Sequence, residues 1–310
     1  MKQGRVLVGV SGWIYKPWRG TFYPKKLPQK DELGYVSRQF SSLEINGTFY
    51  GSQAPESFAK WDEQTPDNFV FAVKGSRFLT HILRLKNAEA ALCNFMASGI
   101  LRLGAKLGPI LWQLPPNFHF DAERIEQFLK LLPHDTVAAA AMAKRENGRL
   151  KKGVWTKTDA KRPLRHALEI RHDSFIDPTF IKLLRRHNVA LVCADTVKWP
   201  RLMDLTAKDF IYCRLHGSEE LYRSNYSPRD LSAWAKRVAS WATGEGPAAG
   251  KYVTDDDWGA DRPRDVYLYF DNTDKVRAPG NARGLMERVD KLLGYKSHAR
   301  SSSSVSTVSI

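Results

Sequence analysis

The chain has 310 residues, 43% of them hydrophobic and 26% charged, a soluble globular profile that suits one large domain or two small ones. No apolar run approaches the ~20 residues a membrane helix needs, Val6-Leu7-Val8 is too short for a signal-peptide core, and Cys93, Cys193 and Cys213 are isolated, without the paired spacing of a disulfide framework or zinc motif. A cytoplasmic protein without a membrane partner is expected, and its net charge of +15 is partly local: Lys144 to Arg165 holds nine Lys/Arg against two Asp/Glu.

The first strand is Val6 to Ser11, with Val6, Val8 and Val10 on one face and Leu7, Gly9 and Ser11 on the other. The loop Gly12 to Pro24 carries Trp13, Tyr15, Trp18, Phe22 and Tyr23, and reads as a lid, a pocket wall or a hydrophobic plug. A helix near Asp31 to Gln39 leads to strand two, Ser41 to Asn46, where Ser42, Glu44 and Asn46 share a face. Thr48-Phe49-Tyr50 follows, then a helix over Glu56 to Gln64 and strand three, Phe69 to Lys74. A long helix is expected from Ala88 to Leu103, with Asn87 as N-cap. Strand four, Ile110 to Leu114, stops at Pro115-Pro116, and Asp121 caps a helix through Leu132.

The basic insertion, 133–165, then interrupts the rhythm, with Ala138 to Ala143 as a short helix. Strand five is His166 to His172, in which Ala167, Glu169 and Arg171 share a face. Asp177-Pro178 opens a helix to His187. Strand six is Val189 to Ala194, ending at Asp195, and strand seven is Phe210 to His216, with Tyr212, Arg214 and His216 on one face. A helix over Pro228 to Ala242 precedes a Gly/Pro/Asp-rich loop insertion, 244–265, that reads as mobile. Strand eight is Val266 to Asp271, followed by Asn272 and a helix from Asn281 to Leu293. The serine-rich tail 296–310 is expected to be disordered.

Eight strands mostly followed by helices indicate a parallel α/β architecture. An open doubly wound sheet would make both strand faces apolar. Here one face is aliphatic and the other small or aromatic early and polar at the end, the pattern of a (β/α)8 TIM-barrel-like closed barrel. The expected organisation is one such domain over 1–295, with the basic insertion between strands four and five. No glycine-rich dinucleotide or Walker motif follows strand one.

Ser11-Gly12-Trp13-Ile14-Tyr15, Glu44 to Tyr50, Phe71 to Lys74, Gln113 to Pro116, Glu169 to His172 and Arg214 to Gly217 together resemble the YecE-like family, domain of unknown function 72. The resemblance spans Val6 to Leu293 and implies a (β/α)8-barrel-like fold without supplying a function.

The inward residues at strand ends are then Ser11, Glu44, Asn46, Lys74, Gln113, Glu169, Arg171, Arg214, His216 and Asp271, with Asp195 and Asn272 adjoining them. The first reading is an enzyme of unresolved class doing acid/base chemistry on a small anionic substrate, phosphate- or carboxylate-bearing and in one variant a sugar. Lys74, Arg171 and Arg214 would hold the anion, Glu44 or Glu169 would be the general base, and His216 would be the acid or would orient the substrate. Ser11, Trp13, Tyr15, Asn46, Tyr50, Gln113, Asp271 and Asn272 complete the substrate-binding set. No cofactor is expected. A second reading is metal-dependent phosphodiester cleavage, with Glu44, Glu169, Asp195 and His216 as ligands of a divalent metal, Asp271 as a further ligand, and His81, His172 and Asp173 as outlying candidates. A third is a non-catalytic module gripping nucleic acid through Lys144 to Arg165. Against all three stands a self-satisfied ion network closing the barrel.

Overall fold

A computed structural model describes residues 3–217, 225–246, 249–256, 258–259, 261–272 and 276–295, so the tail 296–310 and parts of the 244–265 loop lie outside the described residues. The strands are β1 (Val6–Ser11), β2 (Ser42–Ile45), β3 (Val70–Lys74), β4 (Leu107–Gln113), β5 (His166–Glu169), β6 (Ala190–Asp195), β7 (Phe210–Leu215) and β8 (Asp265–Phe270). They pair in chain order, all parallel, and β8 closes on β1 to complete the barrel.

Closure follows from the two strand faces. Outward residues such as Val10, Leu43, Phe71, Trp112, Leu168 and Leu215 pack in one shell beneath the helices. Inward residues form a separate narrow cluster that includes Leu7, Ala72, Leu111, Ala167, Tyr212 and Tyr269. Small side chains let the strands approach while the tyrosines fill the lumen, as a packed eight-stranded barrel requires. At Gly9 any Cβ would overlap the Ser42 carbonyl oxygen on the neighbouring strand, so glycine is required for close approach.

The helices are α1 (Glu32–Val36), α2 (Gly47–Tyr50), α3 (Pro55–Glu63), α4 (Glu89–Ala97), α5 (Ala122–Leu131), α6 (Thr136–Ala143), α7 (Pro178–Arg186), α8 (Pro228–Thr243) and α9 (Ala278–Leu293). Asp121 caps α5 through Arg124 N at 3.1 Å, and Asp177 caps α7 through Thr179 N at 2.6 Å, as their sequence positions indicate. The long helix expected from Ala88 to Leu103 is broken. It stops after Ala97, Gly99 takes φ 112°, and a 3-10 turn over Ile100–Lys106 follows. Nor is Asn87 its N-cap: it adopts φ 46°, and Ala88 takes that place with no side-chain bond. Among the described residues, no helix is long and apolar enough to cross a membrane.

The two insertions are docked. In the first, α6 carries the Asp135 cap, with Ala138 N donating at 2.8 Å, and Asn147 is bonded to Asn94 of α4 at 2.9 Å. Arg165, the last cation of the basic run, is drawn to the opposite end of the barrel, where it meets Asp209 at 2.7 Å and Asp265 at 2.8 Å. In the second, Asp204 accepts from Val253 N at 2.9 Å, and Arg185 of α7 grips Asp256 at 2.6 Å, so those described residues are tied down.

Candidate active site at the mouth of the barrel

The C-terminal strand ends converge on Arg214. The parity of β7 turns Tyr212, Arg214 and His216 inward, and Arg214 is 1% exposed. Its Nε and Nη2 form a fork on Glu44 of β2, at 3.0 and 2.9 Å. Its Nη1 donates to Glu169 of β5 at 2.7 Å, and Nη2 also donates to Asp271 at 2.7 Å. The remaining N–H lies 3.3 Å from His216 Nε2, so every donor of the guanidinium is engaged. Glu44 is saturated as well: Oε1 accepts from Ser11 Oγ at 2.8 Å and Oε2 from Tyr212 OH at 2.7 Å. Glu169 is completed by Arg171, whose Nε donates to Oε1 at 2.7 Å.

Burial alone would raise the Glu169 carboxyl, but Arg171 and Arg214, with His216 and Lys74 behind them, hold it well below the usual carboxylate range. A carboxylate so stabilised is a weak proton acceptor. It also links stability to acid. Because the folded-state pKa lies below the unfolded value of about 4.3, the stabilisation is complete above that pH and is lost as pH falls through the folded value. Glu169→Gln is therefore expected to be less stable than the parent at neutral pH, with the gap narrowing as pH falls below about 4.3. Denaturant unfolding across that range measures it.

Lys74, at the end of β3, is placed differently. It is 8% exposed, yet among the described residues its Nζ makes no ion pair and no hydrogen bond. Nζ sits 4.2 Å from the centre of the Phe49 ring. Burial, reinforced by Arg214 and only partly offset by Glu44, Glu169 and Asp271, lowers it to about 8. Beside it His81 is lowered to about 4 by burial and by Arg77, Lys74, Arg171 and Arg84. One side of the mouth is thus a cationic rim, while the anionic side is neutralised internally.

His216 is fully buried, and burial with Arg214 keeps its imidazole below the ordinary value. Its Nδ1 lies 3.4 Å from Asp271 Oδ2. Accepting from Arg214 at Nε2 requires the proton on Nδ1, an assignment made from this network.

Trp199, after β6, was not singled out in the sequence. It packs on the inward cluster, 4.1 Å from the Arg171 guanidinium and 5.5 Å from the His216 ring, and its buried Nε1 has no partner among the described residues. Its only sequence signal is an aromatic residue at Lys198-Trp199-Pro200, just beyond a strand end.

Other expected site residues are distributed as follows. Gln113 pairs in register with Glu169 and makes no side-chain hydrogen bond among the described residues. Asn46 turns with helical backbone into α2, leaving a buried Oδ1 without a partner among those residues. Trp13 packs edge-on against Trp61 at 5.3 Å, while Tyr15 OH donates to the Ser11 carbonyl at 2.6 Å. With Trp18 and Tyr23 buried, this loop is mainly a hydrophobic plug. Tyr50 is 80% exposed, outside the ion network. Asn272 is bonded to Asn281 of α9 at 2.8 Å.

Asp195 points outward, where Arg201 donates to Oδ1 at 2.6 Å and Trp234 Nε1 to Oδ2 at 3.1 Å. It does not join Glu44, Glu169 and His216. His172 and Asp173 form a turn in which His172 Nδ1 meets Ser174 Oγ at 2.9 Å. Among the described residues, no group of three or more His, Cys, Asp or Glu is arranged to hold a metal ion.

A family model described as "Protein of unknown function DUF72" matches residues 7–302. The UPF0759 protein YunF of Bacillus subtilis is 28% identical over 125 residues, 39% of this chain and 43% of that protein. The UPF0759 protein YecE of Escherichia coli K12 is 26% identical over 118 residues, 36% of this chain and 39% of that one. The chain thus matches about two fifths of the length of these curated relatives. The crystal structure of a DUF72 family protein from Thermotoga maritima MSB8 superposes with a TM-score of 0.68 at 23% identity, covering 92% of this chain and 99% of that one. One from Enterococcus faecalis V583 gives 0.62 at 15%, covering 92% and 95%. Both likenesses establish the fold.

Proposed function

The chain belongs to the DUF72 family, and from that premise we propose that it is an enzyme doing acid/base chemistry on a small phosphate- or carboxylate-bearing substrate bound at the barrel mouth. The observation that carries this reading is Lys74, a buried ammonium that finds no counter-ion among the described residues while Arg214 takes up the nearby carboxylates. A buried charge is costly unless paired, and a substrate anion would supply the missing partner.

In this reading Lys74 receives the anion together with Arg171, whose Nη1 makes no hydrogen bond among the described residues. With a pKa of about 8, Lys74 is mostly protonated near physiological pH, so it meets the anion as an ammonium and can donate that proton, as a general acid does. His216, held by Asp271 and Arg214, is the second proton-transfer group. Trp199 and Phe49 wall the site and exclude water. The proton-transfer role thus moves from Glu44 and Glu169, which hold Arg214 and Arg171 in place, to Lys74 and His216. A glycosidase-like pair needs two carboxylates available to substrate, and these two are occupied by arginines.

Calorimetric titration with inorganic phosphate and short carboxylates tests the reading. Saturable binding is expected, weaker at alkaline pH as Lys74 loses its proton through about 8, and lost in Lys74→Met. Absence of saturable binding, or equal binding by the variant, overturns it.

A further inference from the structure

Beside the mouth, on the far side of Phe49, a cleft of about 590 Å³ runs between the barrel rim and the basic insertion. It falls within the volume range of small-molecule sites, but its walls differ from the ionic mouth. From the rim come Tyr50 of α2 and Phe78 and Ile82 of a π-helix over Phe78–Ile82, exposed by 80%, 46% and 56%. Large apolar side chains grouped on a surface mark an interaction site more than scattered ones do.

The backbone that presents them is unusual. The wide turn is closed by Leu83 N on the Phe78 carbonyl at 2.8 Å, and Arg84, Leu85 and Asn87 follow with φ of 50°, 63° and 46°. Such conformations cost free energy and persist where the surroundings enforce them.

Charge selects the occupant. The cleft is lined by Arg77 and Arg149 and by no Asp or Glu among the described residues. Lys151 and Lys152 lie just beyond Arg149 on the insertion, next to the cleft rather than in its lining, exposed and with no ion pair among the described residues. A second cleft of about 570 Å³ below α3 is lined instead by Asp62, Glu63, Asp67 and Asp159 against three cations. The two are similar in size and opposite in electrostatic character.

Exposed aromatic faces beside a cationic wall are the elements of a single-strand nucleic-acid groove, in which bases stack and phosphates meet arginine and lysine. We propose that this cleft binds a short single-stranded segment of RNA or DNA, with bases on Tyr50 and Phe78 and the backbone along Arg77, Arg149, Lys151 and Lys152. A duplex keeps its bases stacked on one another and cannot use these platforms. The cleft shares Phe49 with the Lys74 centre but is not lined by Lys74, and its proposed ligand does not depend on the chemistry proposed there.

Fluorescence anisotropy of the full chain with labelled oligouridine and oligothymidine tests this. Affinity should fall steeply as salt rises. Tyr50→Ala and Phe78→Ala should each weaken binding on the order of tenfold, and the Arg149→Ala, Lys151→Ala, Lys152→Ala triple variant should flatten the salt dependence. Lys157→Ala, on the second cleft, and Lys74→Met should leave oligonucleotide affinity unchanged. The substituted residues of the cleft and of the adjoining insertion are exposed, so folding is expected to be retained and is checked by thermal melting. No binding at low salt, a preference for duplex, tighter binding to anionic lipid vesicles, or indifference to Tyr50→Ala and Phe78→Ala would each overturn the proposal. A shared loss in Lys74→Met would place the oligonucleotide at the mouth instead and overturn it too.

Discussion

Replacing Arg214 with methionine is expected to cost the fold about 3–5 kcal/mol, the largest stability loss of any single side chain at the mouth. The reason is the company it keeps. Glu44 and Glu169 are fully buried, Asp271 is partly buried, and all three direct an oxygen at this one guanidinium, at 2.9, 2.7 and 2.7 Å. Removing the cation leaves three carboxylates close together, with Ser11 and Tyr212 still bonded to Glu44 but Arg171, on Glu169, the one cation still hydrogen-bonded to any of them among the described residues. The penalty is therefore electrostatic, and its size should depend on pH. Acidification protonates the stranded carboxyls and shrinks the gap between variant and parent. Adding Glu44→Gln and Glu169→Gln to Arg214→Met should recover part of the loss at neutral pH, since two of the three stranded charges are then removed. Urea unfolding at neutral and acidic pH measures both effects. A loss below about 1 kcal/mol, the scale of an exposed pair, would show that the network is not buried as described.

Lys74→Met is expected to act in the opposite direction on stability while abolishing anion binding. The Lys74 ammonium is buried, and its pKa falls from 10.5 to about 8. At about 1.36 kcal/mol per unit, holding it charged near neutral pH costs the native state up to about 3 kcal/mol, which the methionine variant recovers. The sign follows from proton binding. Between about 8 and the unfolded value of about 10.4, the unfolded chain binds more protons than the native one, so parent stability rises with pH across that window and the variant's does not. A residue that weakens the fold and is needed for ligand is the signature of function maintained against stability. If Lys74→Met is instead destabilised and retains anion binding, Lys74 belongs to the structural network with Arg214.

Much of this arrangement was legible in the sequence because strand parity is a local property. Leu43 beside Glu44, Leu168 beside Glu169, and Leu215 between Arg214 and His216 already sort into outward and inward sets, and closure of the barrel brings the inward set together. Which charges neutralise one another was not legible. Glu44 and Arg214 are separated by 170 positions, and their fork depends on the register of every strand between them. Arg214 therefore looked like a ligand-binding cation until its donors could be traced, and Lys74 looked no different from it.

Asp195 was misleading for a related reason. Its strand is inward at Ala194, so the residue at the very end faces Arg201 and Trp234 on the outside. Trp199 lies in a loop, where no periodicity reports direction. The break at Gly99 was hidden by apolar residues that continue a helical pattern through it, although a glycine at φ 112° ends the helix. The basic run contained two kinds of residue. Arg165 serves the far end of the barrel, whereas Arg149, Lys151 and Lys152 remain exposed on the insertion.

The most direct test of the divided mouth is an NMR titration of the Lys74 ε-methylene with the resonance assigned by Lys74→Met, in the absence and presence of saturating phosphate. Titration near 8 is expected for the free protein, with an upward shift when the anion binds, because a bound anion favours the charged amine. A midpoint near the ordinary lysine value of about 10.4, unmoved by phosphate, would contradict that division.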